Sequence, residues 1–231
     1  NSVNAVISVM QNSLRTAHLL GIVPEYEADK IKRPKHMEKP VECFTLAEQK
    51  QIEHSVRQGH KLKMYGIILC LYSGRRIGEL IALQWDDIDF AKGVLSVSKS
   101  CHDGRGGLVI DEPKTPASRR EIPLPKQLLP VLKDVKKKSS SPFVVSANGR
   151  AVSVRSYQRS FELLLKKLKI PHRCFHALRH TFATRALECG MDVKTLSEIL
   201  GHKNPTVTLN RYAHSLMEHK ANMMNRLGKL L

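Results

Sequence analysis

The feature that most constrains the fold is a change of apolar spacing in the middle of the chain. Four short stretches there are rich in branched residues and separated by turns bearing Gly or Asp, which predicts strands at about 88–90, 94–98, 108–110 and 120–124. A further short strand is predicted at 143–145. On both sides apolar residues recur at helical spacing, which predicts helices at about 45–58, 61–72, 76–83, 128–138, 153–168, 176–189, 192–200, 205–213 and 215–227. The sequence therefore predicts a mainly helical α+β fold with a small sheet.

The charge of the chain indicates its partner. The 231 residues include 38 Lys and Arg against 21 Asp and Glu, a formal net charge of +17. An excess of this size favours a polyanionic partner, and nucleic acid comes first because binding phosphates releases counterions. A basic membrane surface is the alternative, but no Lys-rich amphipathic helix with Trp or Phe on its apolar face is evident. No apolar run approaches the ~18 residues of a membrane span.

The cysteines indicate the compartment. They are five in number and contain no CxxC pair, which argues against both a disulfide framework and a cysteine zinc module. A reducing compartment, the cytoplasm, is therefore expected.

The first forty residues predict a separate segment. Apolar residues recur at helical spacing from the start, at Val3, Val6, Ile7, Met10, Leu14 and Ala17. The sequence begins without Met, inside this helix, as a fragment of a domain would. A basic stretch with Pro34 and Pro40 and no apolar periodicity follows and predicts an extended linker. We therefore expect three parts: a helical segment at 1–29, a linker at 30–41 and a larger domain at 42–231.

A His-x-x-Arg motif predicts a phosphate site. His176 and Arg179 share one helix face, near a helix start where the dipole also favours an anion. A basic solvated face is the alternative for this fragment taken alone. A metal site is another, since His172, Cys174, His176 and His180 cluster. Zinc hydrolases with an HxxxH pair place Glu after the first His, but Ala177 stands there, which argues against zinc.

Three further fragments carry polar groups suited to phosphate chemistry. Gly74 precedes Arg75 and Arg76 at a helix start, and Glu79 lies three residues beyond Arg76, where it can orient the guanidinium. Lys114 lies between two strands, at the tip of a predicted hairpin. His202 follows Gly201 on a loop, and Tyr212 ends the next helix.

Taken together, these residues resemble the tyrosine recombinase (phage-type integrase) family over about residues 42–228. The family pattern is Arg, a hairpin Lys, His-x-x-Arg, His or Trp, and Tyr. The matching residues of this sequence are Arg76, Lys114, His176, Arg179, His202 and Tyr212. Arg75 stands where the family usually has an apolar residue, and the offset of Glu79 favours Arg76 as the site arginine.

The resemblance implies a fold and an activity. The expected fold is the family's catalytic domain with a small antiparallel β-sheet, preceded at 1–29 by the tail of a helical core-binding domain. The expected enzyme is a metal-independent, cofactor-free site-specific recombinase of a phage or mobile element. In that reaction Tyr212 forms a 3′-phosphotyrosyl link, Arg76, Arg179 and His202 hold the phosphate, Lys114 protonates the leaving oxygen, and His176 assists as acid or base.

The resemblance also implies partners. These are double-stranded DNA and a homo-tetramer assembled on two DNA sites, in a bacterial or phage-infected cytoplasm at the nucleoid, without a membrane. The residues expected to contact DNA outside the reacting centre are Lys30, Lys32, Arg33, Lys35, Arg75, Arg119, Arg120, Arg155 and His180.

Other functions compatible with the charge stay open. A DNA-binding regulator without strand-transfer activity explains the charge but not the coexistence of six site residues in family order. A type IB topoisomerase shares much of the chemistry but relaxes DNA as a monomer. A metal-dependent nuclease is the third alternative.

Overall fold

The structure, a computed structural model, describes residues 2–25, 31, 33–34, 42–112, 119–202, 204–212, 224 and 228. Contacts between Cα atoms divide the chain into two compact units, Asn1–Pro40 and Val41–Leu231. Most of the expected linker at 30–41 is outside the described residues, so the predicted domain boundaries stay predictions.

The first unit contains one long helix. Helix α1 spans Ser2–Leu19, which confirms the helix predicted from the first residues. Several of its large apolar side chains are half or more exposed, among them Val3, Val6, Val9 and Met10. Arg33, one of the expected DNA contacts, donates from Nη2 to Oε1 of Gln11 at 2.7 Å.

Helices are the main secondary structure of the second unit. In the described part they are α2 Leu46–Gln58, α3 Tyr65–Ser73, α4 Ile77–Ile81, α5 Leu128–Lys138, α6 Val154–Lys167, α7 Ala177–Glu188, α8 Val193–Leu200 and α9 Pro205–Arg211. Each lies within a few residues of a predicted helix, and the turn at Leu62–Met64 before α3 is a 3₁₀ helix. Within the helix predicted at 215–227 the structure describes only Met224, so this helix stays a prediction.

The strands are short and antiparallel. They are β1 Ile88–Asp89, β2 Val94–Val97, β3 Ser100–Gly104, β4 Gly107–Asp111, β5 Arg120–Pro123, β6 Ser146–Ala147 and β7 Arg150–Ala151. Strands β1, β2 and β5 form a three-stranded sheet in which Leu95 of β2 is paired with Ile88 and Ile122. Two hairpins, β3–β4 and β6–β7, complete the β structure of the described residues. The predicted α+β class is confirmed.

Two strand predictions differ from the structure. Strand β3 is not predicted, because Ser-Cys-His-Asp-Gly contains no branched residue. Backbone pairing with β4 stabilises this strand. In addition, the Asp103 carboxylate accepts hydrogen bonds from the backbone amides of Val154 and Arg155 at the start of α6. The strand predicted at 143–145 is wrong. Phe143 forms a single bridge with Gln84, and the strands that follow, β6 and β7, flank a turn at Asn148 and Gly149.

The core brings the ends of α3 and α8 next to α7. Helix α3 is buried along almost its whole length and packs on α7. A second apolar cluster joins α7 and α8 to the residue after α9, and consists of Ala183, Ala186, Leu187, Leu196, Leu200 and Tyr212. The polar residues predicted to act on phosphate are attached to these elements.

Replacing Gly74 with alanine is expected to destabilise the second unit. Gly74 ends α3 at φ 61°, and a Cβ there would lie 2.4 Å from Cδ1 of Phe182. The left-handed backbone costs ~1–2 kcal/mol, and the overpacking adds ~1–3 kcal/mol. Urea unfolding measures the loss. Gly149→Ala is the matched control, since Gly149 has φ 75° with open space around it; an equal loss in both variants would contradict the packing explanation.

Candidate active site

Arg76 and Glu79 begin helix α4 as a reciprocal pair. The backbone N–H of Arg76 donates to Oε2 of Glu79 at 3.0 Å, and Nη1 of Arg76 donates to Oε1 at 2.9 Å. The side chain of Arg76 is 39% exposed, whereas that of Glu79 is 5% exposed. The spacing of three residues thus places the carboxylate where the sequence predicts it, holding a guanidinium that is accessible from outside.

Glu79 also binds a second arginine. Arg120, on β5, donates from Nη2 to Oε2 of Glu79 at 2.9 Å and from Nη1 to Oε1 at 3.2 Å. Burial raises the pKa of Glu79, but the hydrogen bonds and charge of Arg120, with the charges of Arg75 and Arg76, outweigh it and lower the pKa to about 2. The carboxylate is therefore ionised throughout the neutral range.

The low pKa of Glu79 predicts acid sensitivity. The pKa of Glu79 is about 2 in the folded protein and near 4.5 in the unfolded chain. The ionised carboxylate therefore stabilises the fold by about 3 kcal/mol above pH 4.5, and this contribution is lost as the pH falls towards 2. In urea unfolding between pH 5 and pH 2.5, Glu79→Gln is expected to flatten the pH dependence. Glu112→Gln, at an exposed carboxyl, is the control and should keep the slope of the unsubstituted protein. An unchanged slope in Glu79→Gln would contradict the assignment.

Arg179 is buried at the centre of the site. Its Nη1 donates to the Gly74 carbonyl at 2.8 Å, and its Nη2 donates to the Leu200 carbonyl at 2.8 Å. Burial, with the nearby charge of Arg76, lowers the pKa of Arg179 to about 9, so that the guanidinium stays protonated at pH 7. The ends of α3 and α8 thus orient Arg179.

His202 is neutral, and its contact with Arg179 selects one tautomer in this structure. Its Nε2 lies 2.8 Å from Nη2 of Arg179, and its Nδ1 lies 2.7 Å from Oγ1 of Thr208. Burial, with the charge of Arg179, lowers the pKa of His202 to about 4. Because Arg has no acceptor, Nε2 accepts from Arg179, and the Nδ1 proton is donated to Thr208.

Three arginines share the carbonyl end of helix α8. The Ile199 carbonyl accepts from Nε of Arg120 at 2.6 Å and the Gly201 carbonyl accepts from Nη2 of Arg76 at 3.3 Å, while Leu200 between them accepts from Arg179. The carbonyl end of a helix is the negative end of its dipole, so it stabilises cations placed there. Residues far apart in the sequence are thereby gathered around one short segment.

Tyr212 lies next to this cluster in an apolar setting. It follows α9, is 3% exposed, and its hydroxyl lies 2.7 Å from Nδ1 of His180 on α7. The His176 ring contacts the His180 ring edge-on, with centroids 4.6 Å apart. A negative charge on the Tyr212 oxygen raises the pKa of Arg179, so the phenol lies within electrostatic range of the arginine cluster.

The structure thus brings together five of the six predicted catalytic residues. They are Arg76, His176, Arg179, His202 and Tyr212. Lys114 lies outside the described residues, so its position stays a prediction.

Three residues expected to contact DNA are buried in the structure. Arg75 is 2% exposed, its pKa is lowered to about 10 by burial, and its Nη2 donates to the Glu79 carbonyl. The Arg120 side chain is 7% exposed and paired with Glu79, and His180 is 8% exposed and bonded to Tyr212. In this structure the three side chains are therefore surrounded by protein groups, and their contact with DNA stays a prediction.

The other expected DNA contacts stay predictions. Arg33, Arg119 and Arg155 are exposed, and Arg119 pairs with Glu112. Lys30, Lys32 and Lys35 lie outside the described residues. Among the residues described, no group of three or more His, Cys, Asp and Glu side chains is placed to hold a metal ion, and no helix is long and apolar enough to cross a membrane.

Comparison with known proteins decides the family. The model of the phage integrase family matches residues 44–219, most of the second unit. This chain belongs to the phage integrase family. A tyrosine recombinase XerC-like protein of Caldanaerobacter subterraneus subsp. tengcongensis is 32% identical to this chain. The match covers 84% of this chain and 56% of the XerC-like protein. The transposase from transposon Tn916 of Enterococcus faecalis is 30% identical over 71% of this chain and 45% of its own length. The chain spans about half the length of these relatives.

Solved structures of integrases share the fold. The Tn1549 transposon integrase in complex with a circular intermediate DNA matches with a TM-score of 0.79 and 27% identity, over 98% of this integrase-family chain and 79% of that chain. A lambda integrase tetramer bound to a Holliday junction matches with a TM-score of 0.66 and 20% identity, over 87% of this chain and 58% of the lambda integrase chain. The family and the fold predicted from the sequence are confirmed.

Proposed function

We propose that this chain is the catalytic part of a site-specific DNA recombinase that cleaves and rejoins strands through a 3′-phosphotyrosyl intermediate. One observation carries the proposal: two arginines from distant segments, Arg76 and Arg179, meet at the carbonyl end of α8. They do so within electrostatic range of a buried tyrosine hydroxyl. Guanidinium groups held in this way suit a phosphodiester, whose non-bridging oxygens gain negative charge during attack.

The two arginines supply the charge stabilisation that the reaction needs. Arg179 is fixed by two carbonyls and Arg76 by Glu79, so both are oriented before DNA arrives. Preorganised donors of this kind cost no reorganisation as charge develops. Because the guanidinium groups carry this role, the proposal includes neither a metal ion nor a cofactor.

His202 has two proposed roles, one in each tautomer. With the proton on Nδ1, its Nε2 accepts from Arg179 and orients that guanidinium. The predicted hydrogen bond to the phosphate needs the proton on Nε2 instead. Thr208 supports this tautomer too, because its hydroxyl can donate to Nδ1 as well as accept from it.

The chemical step is a displacement at phosphorus. The Tyr212 oxygen forms a bond to the phosphorus, the bond from phosphorus to the 5′-oxygen breaks, and the 5′-oxygen takes a proton, for which the resemblance implies Lys114. Ionising an ordinary tyrosine at pH 7 costs ~4 kcal/mol, so the phenol needs both a proton acceptor and nearby cations. Attack by another 5′-hydroxyl reverses the step and rejoins the DNA.

The similar proteins favour recombination over DNA relaxation by a topoisomerase as the function of this chemistry. They include a XerC-like recombinase and the transposase of a bacterial transposon, and the Tn1549 transposon integrase was solved in complex with DNA. We therefore propose double-stranded DNA sites as the substrate, in a bacterial cytoplasm at the nucleoid. Exchanging four strands with one tyrosine per protomer requires four protomers on two duplexes. We therefore propose a homo-tetramer as the active assembly.

The test is covalent trapping on DNA. The protein is incubated in EDTA with a pool of duplexes of random sequence, each nicked so that cleavage releases a short 5′-hydroxyl fragment and prevents rejoining. We expect adducts that survive denaturation, carry one enriched sequence and yield a DNA-linked peptide containing Tyr212. The enriched sequence, here called the selected duplex, is the substrate for the experiments below.

Other outcomes distinguish the alternatives. Sequence-specific binding without any adduct would indicate a non-catalytic regulator and contradict the proposal. Adducts with relaxation of supercoiled DNA, but no exchange between two selected duplexes, would indicate a topoisomerase. An adduct at a residue other than Tyr212 would overturn the assignment of the nucleophile.

A further inference from the structure

His180 is a buried titratable residue that the reaction predicted from the sequence leaves without a role. It lies on α7 four residues after His176, whose ring contacts its own edge-on. Its Nδ1 is 2.7 Å from the Tyr212 hydroxyl, and the two rings pack edge-on with centroids 5.8 Å apart. An imidazole nitrogen therefore lies within hydrogen-bond distance of the attacking oxygen.

We propose that His180, rather than the neighbouring His176 to which the resemblance gives an acid or base role, is the general base of the reaction, taking the Tyr212 proton during cleavage and returning it during rejoining. The inference rests on the proposed function. As the Tyr212 oxygen bonds to phosphorus, its proton passes to Nδ1 of His180, which becomes an imidazolium. The bond from phosphorus to the 5′-oxygen breaks, and that oxygen is protonated separately. In rejoining the phenol leaves phosphorus and takes the proton back, so no oxidant or further reactant is needed.

The bonds of His202, a further histidine of the site, support this assignment. Both ring nitrogens of His202 are engaged, Nε2 by Arg179 and Nδ1 by Thr208, so His202 has a different task. The hydroxyl of Tyr212 lies at hydrogen-bond distance from His180, the reach that a general base requires.

The surroundings of the pair suit proton transfer. Tyr212 is packed among Ala183, Ala186, Leu187, Leu196 and Leu200, and both members of the pair are buried. An apolar setting strengthens the hydrogen bond between them. The phenolate that remains after transfer lies within electrostatic range of Arg179, which stabilises its charge.

The first test is His180→Asn with the selected duplex. The side-chain oxygen of Asn can occupy the place of Nδ1 and accept from Tyr212, but an amide takes up no proton at neutral pH. Adduct formation is expected to slow by roughly 10²–10⁴-fold, the usual worth of a general base, with DNA binding by mobility shift unchanged. His172→Asn, at an exposed histidine, is the control and should react at the rate of the unsubstituted protein.

A second substrate separates the base from the acid. In a duplex with sulfur in place of the bridging 5′-oxygen, the leaving thiolate needs no proton. This substrate is expected to restore cleavage by Lys114→Ala and to leave His180→Asn slow. Restoration of His180→Asn would assign the imidazole to the leaving group and overturn the proposal.

The remaining outcomes are equally decisive. Cleavage by His180→Asn at the unsubstituted rate, or faster, would show that the bond only holds Tyr212 at rest, and would overturn the proposal. If this variant is unfolded at the assay temperature, His180→Ala with added imidazole takes its place; rescue supports the proposal, and no rescue overturns it. Absence of adducts in the unsubstituted protein would instead contradict the proposed function.

Discussion

Replacing Tyr212 with phenylalanine is expected to abolish the covalent adduct with the selected duplex. The phenyl ring keeps the packing among the apolar side chains of α7 and α8, but the oxygen that attacks phosphorus is gone. Loss of the bond to His180 leaves a buried nitrogen without its partner, which costs ~1–3 kcal/mol of stability. Denaturing gel electrophoresis measures the adduct, and mobility shift shows that DNA is still bound.

The chain offers a matched control for that substitution. Tyr157 is fully buried, and its hydroxyl donates to the Lys63 carbonyl at 2.8 Å, so Tyr157→Phe also removes a buried hydrogen bond. This control is expected to lose similar stability and to form adducts normally. Adducts formed by Tyr212→Phe would show that another residue is the nucleophile.

Replacing Arg179 with lysine is expected to slow adduct formation by roughly 10²–10³-fold, as loss of one preorganised donor does elsewhere. Lysine keeps the charge but lacks the planar fork that binds the Gly74 and Leu200 carbonyls simultaneously. Arg179→Ala leaves both carbonyls without their donor, and we expect a loss of at least ~2 kcal/mol in the free energy of unfolding. Rates on the selected duplex and urea unfolding provide the measurements.

Arg185 supplies the comparison on the same helix. Its Nη2 donates to the Phe44 carbonyl at 3.0 Å, and its Nη1 pairs with Glu188, away from the phosphate residues. Arg185→Lys should cleave at the unsubstituted rate. If it slowed cleavage as much as Arg179→Lys, the effect would come from α7 as a whole rather than from a phosphate contact.

Local spacing explains why part of the site was predictable. Arg76 and Glu79 are three residues apart at a helix start, so helix geometry alone brings them together. The same holds for the histidine and arginine of the HxxR motif. The left-handed ends of α3 and α8 are likewise marked in the sequence, by Gly74 and Gly201.

Tertiary pairing explains what sequence reasoning missed. Arg120 and Glu79 are 41 residues apart, and His180 and Tyr212 are 32 apart, so no local period signals either pair. Composition also does not separate a buried arginine from an exposed one, so the sequence alone does not show that Arg75 is buried. The i,i+4 spacing of His180 from His176 was the one signal that it faces the site.

The three consecutive carbonyls that end α8 have a consequence for how the site tolerates change. They bind Arg120, Arg179 and Arg76 through main-chain oxygens, so these hydrogen bonds do not involve the side chains at 199 and 200. Point substitution there leaves the acceptors in place. Insertion of a single residue shifts all three by one position and separates the guanidinium groups, so the arginines constrain the length of this junction, while packing and the left-handed backbone constrain Leu200 and Gly201.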